Sequence, residues 1–233
     1  MRAKFVLITF AVAILTAVIY LFYALRPDSA RRLQAIAWIR DPSSRPDLLM
    51  RAGTRCAEAP FIFPTDGMVG FLWDDSFRPG HRHQGIDIFA GTGVGVTPVT
   101  AAYPGYLTRL TEWVSSVIIR VPQDPLEPSR QIWVYYTHMA DRQGNSFISN
   151  DFPPGTTEKH VEAGELLGYQ GNYSGDPLNP VGVHLHVSIV KDDGFGHFKN
   201  ELDIRNTYDP SPYFGLQLNA DQNRDQIPQC DPS

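Results

Sequence analysis

The hydrophobic pattern of the first residues differs from that of the rest of the chain. Phe5 to Leu25 is an unbroken run of apolar and uncharged positions. A helix of about 21 residues rises about 30 Å, which is the thickness of the hydrocarbon layer of a bilayer. The residues after Leu25 offer no small-x-small cleavage site. The pattern therefore predicts an uncleaved transmembrane anchor in residues 1–26.

Basic residues flank both ends of this predicted span. Arg2 and Lys4 precede it, and Arg26, Arg31 and Arg32 follow it. The positive-inside rule therefore does not place the N-terminus in the cytoplasm, and taken alone it favours the opposite orientation. The expectation that the remaining chain lies outside the cytoplasm rests on the function argued below, and it conflicts with this charge count.

Residues 27–58 are predicted to form a juxtamembrane linker with a short helical segment. Ala30–Ile39 mixes apolar and basic positions. Such a segment could lie along a membrane surface, but a plain juxtamembrane helix is the favoured interpretation. Pro42 and Pro46 then interrupt any regular structure.

From about Ala59 the pattern changes to short β-prone runs between turn residues, without an amphipathic helix of ordinary length. This predicts a mainly β domain with an antiparallel sheet over residues 59–216, followed by a C-terminal tail at 217–233. Polar stretches at 141–159 and 171–182 are predicted to form functional walls or lids, although tolerated insertions would give the same pattern. The clearest predicted strands are Val117–Val121, Gln131–Tyr136 and Val183–Val190.

Composition narrows the function classes. Apolar residues make up 42% of the chain and charged residues 19%, as in a folded globular domain. The net charge of −5 gives no basic surface for nucleic acid, so that class of partner is excluded. Cys56 and Cys230 could form a disulfide outside the cytoplasm or remain as two buried thiols, and the sequence leaves both open.

Three elements carry candidate metal ligands. His184 and His186 lie two residues apart in a β-prone run, so both would project from one face of a strand. His83 and Asp87 flank Gly85, and His138 ends another β run. Each element alone is weak evidence, because packed histidines or a surface loop would explain it as well.

Taken together, these elements predict one metal site. His83, Asp87 and His186 form a three-ligand set that leaves a fourth position for water, as in a catalytic zinc site. His138 and His184 would then lie beside the metal, where they could move protons. No H-E-x-x-H helix occurs, which excludes the zincin arrangement.

Several short motifs in fixed order also resemble the M23 zinc peptidases of the lysostaphin and LytM type, over roughly residues 61–214. The matching positions are Phe63-Pro64-x-x-Gly67, His83-x-Gly85-x-Asp87, Thr97-Pro98-Val99, Tyr136-x-His138-Met139, Gly164-Glu165-Leu166-Leu167-Gly168, Gly171-Asn172, His184-Leu185-His186 and Asp209-Pro210-x-x-Tyr213. The resemblance implies a LytM-like fold, in which the antiparallel sheet is the floor of an open groove.

The resemblance also implies the chemistry. It assigns one Zn²⁺ to His83, Asp87 and His186, and it makes His138 and His184 the catalytic histidines. It leaves His81 on a loop outside the ligand set. The expected substrate is the peptide cross-link of peptidoglycan, in a bacterial cell envelope, with the membrane reached through the N-terminal helix. His160 and His197 match nothing in the family and are predicted to be exposed.

The chain departs from the family pattern around the groove. Residues 89–96 are longer than the usual turn, the family's G-N-T-G-x-S-x-G-P segment is replaced by residues 171–182, and residues 141–159 are also longer. These changes leave the five candidate side chains in place but alter the groove walls. The length of substrate and the type of cross-link are therefore not predicted, and neither is the oligomeric state.

Three other functions remain as alternatives. A catalytically inactive wall-binding or hydrolase-regulating module could share the fold, although such modules usually lack one of the five residues. A zinc carboxypeptidase with a similar H-x-H centre would trim stem peptides instead of cutting cross-links. A metal-free sheet protein with incidental histidines would bind no zinc.

Overall fold

The structure, a computed structural model, describes residues 30–76 and 80–230. Ten strands and two α-helices are found within these residues. The helices are α1 (Ala30–Arg40) and α2 (Ser211–Phe214). The strands are β1 (Met68–Phe71), β2 (Ile86–Phe89), β3 (Pro98–Thr100), β4 (Gly105–Thr108), β5 (Val117–Val121), β6 (Ile132–Thr137), β7 (Lys159–Val161), β8 (Leu166–Tyr169), β9 (Leu185–Lys191) and β10 (Thr207–Tyr208).

One antiparallel sheet forms the centre of the fold. Its strand order is β1-β2-β9-β6-β5-β4-β7, with β10 pairing along part of β9. β9 is an interior strand, third in this order, and all its residues except the last are buried, so it is covered on both faces. β3 and β8 form a separate two-stranded sheet. The prediction of a mainly antiparallel β fold is confirmed.

The predicted strands correspond closely to observed ones. Val117–Val121 is β5 with the same bounds, and the run predicted at 131–136 is β6, displaced by one residue. The run predicted at 183–190 begins as a strand only at Leu185. The displaced bounds have a simple cause: β-propensity does not show where ladder pairing starts.

The α1 helix packs on the domain instead of standing apart from it. Ala35 and Trp38 are buried with Met68, Phe89 and Ile227 in one apolar cluster. Its contact surface includes residues near the C-terminus, which the sequence assigns to a tail. The segments predicted as a linker and a tail thus cover the same edge of the main sheet.

No helix within residues 30–76 and 80–230 is long and apolar enough to cross a membrane. The span predicted for residues 1–26 lies outside the described residues.

A disulfide joins Cys56 to Cys230, whose Cα atoms are 5.3 Å apart and whose sequence separation is 174 residues. Both sulfurs pack against the main core. The bridge closes a loop around almost the whole domain. A crosslink of this span strongly limits the freedom of the unfolded chain.

Removing the bridge should therefore destabilise the fold. The double variant Cys56→Ala/Cys230→Ala is expected to lose about 2–5 kcal/mol of unfolding free energy. Urea unfolding of the full chain measures the loss, and reductant should lower the wild-type midpoint but not that of the variant. An unchanged midpoint in the variant would contradict this expectation.

Candidate metal centre

Three neighbouring strands deliver polar side chains to one end of the main sheet. Asp87 on β2 and His186 on β9 are opposite each other in the ladder. On the other side of β9, Thr137 at the end of β6 is the partner of His186. His138 directly follows β6, and His184 directly precedes β9. The register of the sheet thus gathers four of the five candidate side chains.

His83 reaches the same place from the loop before β2, which runs unusually close to β9. A Cβ atom on Gly85 would lie 2.1 Å from the Val187 carbonyl oxygen and 2.9 Å from His186 Nε2. Neither distance allows a side chain, so this approach requires glycine. Gly85 therefore allows His83 to lie beside His186.

The atoms of the three candidate ligands form a small triangle. His83 Nε2 lies 3.1 Å from Asp87 Oδ1 and 3.0 Å from His186 Nδ1. His186 Nδ1 lies 2.8 Å from Asp87 Oδ1. This is a group of histidine and aspartate atoms that could hold a metal ion. All three side chains are almost completely buried.

The tautomer of His83 fits metal binding. Its Nδ1 lies 2.8 Å from the Leu72 carbonyl oxygen, which can only accept a hydrogen bond. Nδ1 therefore carries the proton, and the lone pair of Nε2 points into the triangle. Metal-binding histidines are typically held in this way by a carbonyl or carboxylate behind the ring.

The size of the triangle also fits zinc. Atoms bound tetrahedrally at about 2.0–2.1 Å from zinc are about 3.3 Å from one another. The observed edges, between 2.8 and 3.1 Å, are close to this value. Two imidazoles and one carboxylate are a ligand set that zinc accepts, with room for a fourth ligand on the cavity side.

The electrostatics favour a positive charge in the triangle. Burial alone would raise the pKa of Asp87, but the neighbouring His83 and His184 hold that pKa well below its ordinary value. Burial would likewise lower the pKa of His83, but the charge of Asp87 offsets this and raises it. Asp87 therefore stays ionised and stabilises any cation placed between these rings, a proton or a metal ion.

His138 and His184 lie next to the triangle and are tethered in the same manner. His138 Nδ1 donates to the Tyr173 carbonyl at 2.6 Å, and His184 Nδ1 donates to the Gly182 carbonyl at 2.7 Å. The two ring centroids are 4.5 Å apart. His184 Nε2 lies 3.5 Å from Asp87 Oδ1. Each ring thus keeps an unprotonated Nε2 while it is neutral.

The backbone of His138 has a positive φ of 72°. This left-handed conformation is uncommon outside glycine, although histidine and asparagine tolerate it better than most residues. It turns the chain sharply at the end of β6, at the point where the ring joins the candidate site. Non-glycine residues in this conformation often lie at functional sites.

The site opens into a groove with a volume of about 510 Å³. Its lining includes four hydroxyl side chains, two in the turn before β5 and two on β6, and two loop segments that form its walls. The hydroxyl residues are Ser115, Ser116, Tyr135 and Thr137. One wall segment contributes Tyr173, Ser174, Gly175 and Val181, and the other contributes Glu201 and Leu202.

Of the two predicted wall segments, one lines this groove. Residues 173–181 contribute to it, whereas the lining includes no residue from 141–159. His81 also lines the groove but is outside the ligand triangle. His160 and His197 are exposed, as predicted from the sequence.

The sequence interpretation did not identify the backbone carbonyls that hold the three histidine rings. The carbonyl oxygens of Leu72, Tyr173 and Gly182 fix the three tautomers, but a backbone carbonyl leaves no mark on residue type. The wall at Glu201 and Leu202 was missed as well. Its position depends on contacts distant in sequence, such as the 2.7 Å hydrogen bond from Gln84 Nε2 to the Leu202 carbonyl.

Similarity to known proteins was found among solved structures. No protein-family model and no curated protein matches the chain. The catalytic domain of lysostaphin from Staphylococcus simulans is similar in structure, with 18% identity, a TM-score of 0.40, and coverage of 64% of this chain and 89% of that one.

Two further solved structures are similar at the same level. A putative M23 peptidase from Pseudomonas aeruginosa has 18% identity and a TM-score of 0.39, and covers 82% of this chain. The match spans 63% of that protein, just under two thirds of its length. The catalytic domain of the prophage-encoded M23 protein EnpA from Enterococcus faecalis has 22% identity, a TM-score of 0.37, and coverage of 64% and 95%.

Closing the gap at Gly85 should disrupt the site. In Gly85→Ala the new methyl group would overlap the Val187 carbonyl, so β2 and β9 must separate where Asp87 and His186 meet. Overpacking of this kind costs about 1–3 kcal/mol, and metal affinity should fall with it. Urea unfolding and zinc titration of the purified variant measure both effects.

Gly93→Ala is the matched control, because its Cβ would meet only a Val96 methyl at 3.9 Å. It should leave both stability and zinc affinity almost unchanged. Equal zinc affinity in the Gly85 and Gly93 variants would contradict the steric argument.

His138 should make the metal-free protein sensitive to acid. Burial and the neighbouring histidines lower its pKa to about 3. Above pH 6.5 the ring is neutral in both states, but below it only the unfolded chain takes up the proton. Stability is therefore lost as the pH falls from about 6.5 towards 3, by about 2 kcal/mol between pH 7 and 5.

His138→Asn removes the titrating ring and tolerates the left-handed backbone. Urea unfolding in the presence of a chelator at pH 7 and pH 5 tests the expectation. The variant should lose less stability than the wild type over this interval. The same loss in both proteins would show that His138 takes up a proton at an ordinary pKa in the folded state.

Proposed function

We propose that this chain is a zinc metallopeptidase that hydrolyses peptide bonds of peptidoglycan cross-links. The observation that carries the proposal is the buried triangle of His83, Asp87 and His186 at the floor of an open groove, with two tethered histidines beside it. A purely structural zinc site would be closed on all sides. Here the groove gives a substrate access to the side where the fourth ligand would bind.

His83, Asp87 and His186 would hold the metal. When bound there, zinc supplies Lewis acidity, which polarises a substrate carbonyl and lowers the pKa of water towards about 7. The chain's own contribution is to orient three ligand atoms in advance and to keep Asp87 ionised. Both reduce the reorganisation that metal binding and catalysis require.

His138 and His184 would transfer protons during hydrolysis. Each neutral ring has its Nδ1 proton committed to a backbone carbonyl, so its free Nε2 can only accept a proton from the attacking water. Once protonated, the same Nε2 can donate to the oxyanion or to the leaving amine. Because of these Nδ1 hydrogen bonds, each ring must accept a proton at Nε2 before it can donate one.

The groove favours an extended peptide as substrate. Its hydroxyl side chains and two loop walls offer hydrogen-bond partners beside the metal triangle. Peptidoglycan as the source of this peptide rests on the family resemblance. The altered wall at 171–182, together with the wall at 201–202, would set the preferred cross-link.

We further propose that the domain is outside the cytoplasm of a bacterial cell, anchored through residues 1–26. The Cys56–Cys230 disulfide supports this location, because such bridges persist in oxidising compartments. It weighs against the orientation that the flanking charges favour when taken alone. The arrangement would hold the groove close to both membrane and wall.

Substitutions should separate metal binding from catalysis. Asp87→Ala and His186→Ala are expected to lose bound zinc and all activity, because each removes a ligand. His184→Ala should keep zinc but lose about 100-fold or more in rate, because it removes a proton carrier. Metal content of the purified proteins and digestion of purified peptidoglycan, with mass analysis of the fragments, measure these effects.

His160→Ala is the control, since this exposed ring lies outside the groove, and it should behave as wild type. Cleavage of cross-links that stops when a chelator is added would support the proposal. Removal of residues from the ends of stem peptides would indicate a carboxypeptidase instead. Zinc retained without any cleavage would identify an inactive module. A His184→Ala variant as fast as wild type would refute the role given to that ring.

A further inference from the structure

Arg31, on the first turn of α1, is a buried cation far from the groove in sequence. Its side chain is 1% exposed. Nη2 donates to Asp75 Oδ1 at 2.5 Å, Nη1 donates to the Gly70 carbonyl at 2.9 Å, and Nε donates to the Asn223 carbonyl at 3.3 Å. A buried charge is costly unless it is paired and hydrogen-bonded, and this one is both.

The partner of Arg31 belongs to the turn that holds His83. The other carboxylate oxygen of Asp75 accepts from the Leu72 backbone N–H at 2.7 Å. The Asp75 N–H donates to the Leu72 carbonyl at 3.1 Å, which closes the turn. Residues 72–75 are therefore fixed by the carboxylate that Arg31 neutralises.

Three hydrogen bonds join this turn to His83, and in one of them the Asp74 backbone N–H donates to the His83 carbonyl at 2.8 Å. The His83 backbone N–H donates to the Asp75 carbonyl at 2.8 Å. The His83 ring donates from Nδ1 to the Leu72 carbonyl, also at 2.8 Å. The turn thus sets the position of the backbone, the rotation of the ring and its tautomer, all of which aim Nε2 at Asp87 and His186.

We propose that Arg31 is a positioning residue for the metal site, acting on His83 through Asp75 and the turn at residues 72–75. The inference rests on the metal site of the proposed function, but it concerns residues outside that site. Without Arg31, Asp75 would be a buried, unpaired carboxylate. The turn would have to shift or admit water, and His83 would lose the carbonyl that fixes its ring.

The inference gives α1 a second role. This helix directly follows the predicted membrane span, and its first turn carries Arg31. The described fold therefore makes the juxtamembrane segment part of the support of the metal centre. A chain that lacked this helix would keep all three ligands and still hold His83 poorly.

A second ion pair with a buried carboxylate provides the control, although its arginine, Arg130, is 29% exposed. Arg130 Nε donates to Asp124 Oδ2 at 2.6 Å, and the Asp124 side chain is fully buried. This pair lies in the connection between β5 and β6, at the opposite end of β6 from Thr137. Breaking it leaves a buried carboxylate unpaired, as in the Arg31 case, but at a distance from His83.

The test measures metal affinity and metal geometry in the purified full-length chain. Arg31→Met should weaken zinc binding by roughly 10–100-fold, the usual effect of losing an outer support of a metal ligand. Arg31→Lys keeps the charge but cannot make all three hydrogen bonds. Its zinc affinity should be intermediate between those of Arg31→Met and wild type. Zinc affinity comes from competition with a chromophoric chelator, and the visible spectrum of the Co²⁺ form reports ligand geometry.

Arg130→Met should lower the thermal midpoint in a similar way but change zinc affinity by less than about twofold and leave the Co²⁺ spectrum unchanged. Both affinities are measured at a temperature where circular dichroism shows each variant folded. Should Arg31→Met misfold, the Arg31→Lys variant decides the question by the same two readouts.

Wild-type zinc affinity in a folded Arg31 variant would overturn the inference and leave the proposed function intact. Equal weakening by Arg130→Met would also overturn it, because the effect would then be general loss of stability. A wild-type chain that binds no zinc would refute the inference and the proposed function together.

Discussion

The candidate site depends on the register between β2 and β9. Asp87 and His186 are direct partners in this ladder, and Thr137 on β6 is the partner of His186 on its other side. A slip of one residue would turn either ligand to the opposite face of the sheet. The buried residues of β9 resist such a slip, because it would also exchange apolar and polar positions throughout the core. The packing of the sheet centre therefore decides whether the ligands meet.

Register places the side chains, and backbone carbonyls then define their chemistry. The carbonyls of Leu72, Tyr173 and Gly182 each accept a hydrogen bond from one ring Nδ1–H, so three imidazoles present a lone pair at Nε2. Neutral histidine otherwise has two tautomers, and only one of them can bind a metal or take a proton at a given nitrogen. Two of these carbonyls lie in the wall segment 171–182, so this segment orients the rings of His138 and His184 as well as lining the groove.

The sequence could predict the parts of the site that depend on residue type and local period. His184 and His186 lie two apart, and their placement on one side of a strand follows from the period of a β-strand. The motif around Gly85 was recognised by its order along the chain, and the close approach to Val187 now gives its physical reason. Contacts between distant segments could not be predicted in this way. The disulfide was left open because the Cα separation of two cysteines is not readable from spacing.

The segments predicted as linker and tail show that packing between distant parts of the chain cannot be predicted from local sequence. The α1 helix has a weakly patterned sequence, yet it buries Arg31, Ala35 and Trp38 against the domain. Arg31 reaches the Asn223 carbonyl, and the disulfide fixes the C-terminal segment nearby. Both ends of the described chain must therefore be in place before the turn that holds His83 is fully supported. A site assembled from such distant segments does not exist in the unfolded chain, so the free energy of metal binding would add directly to the stability of the fold.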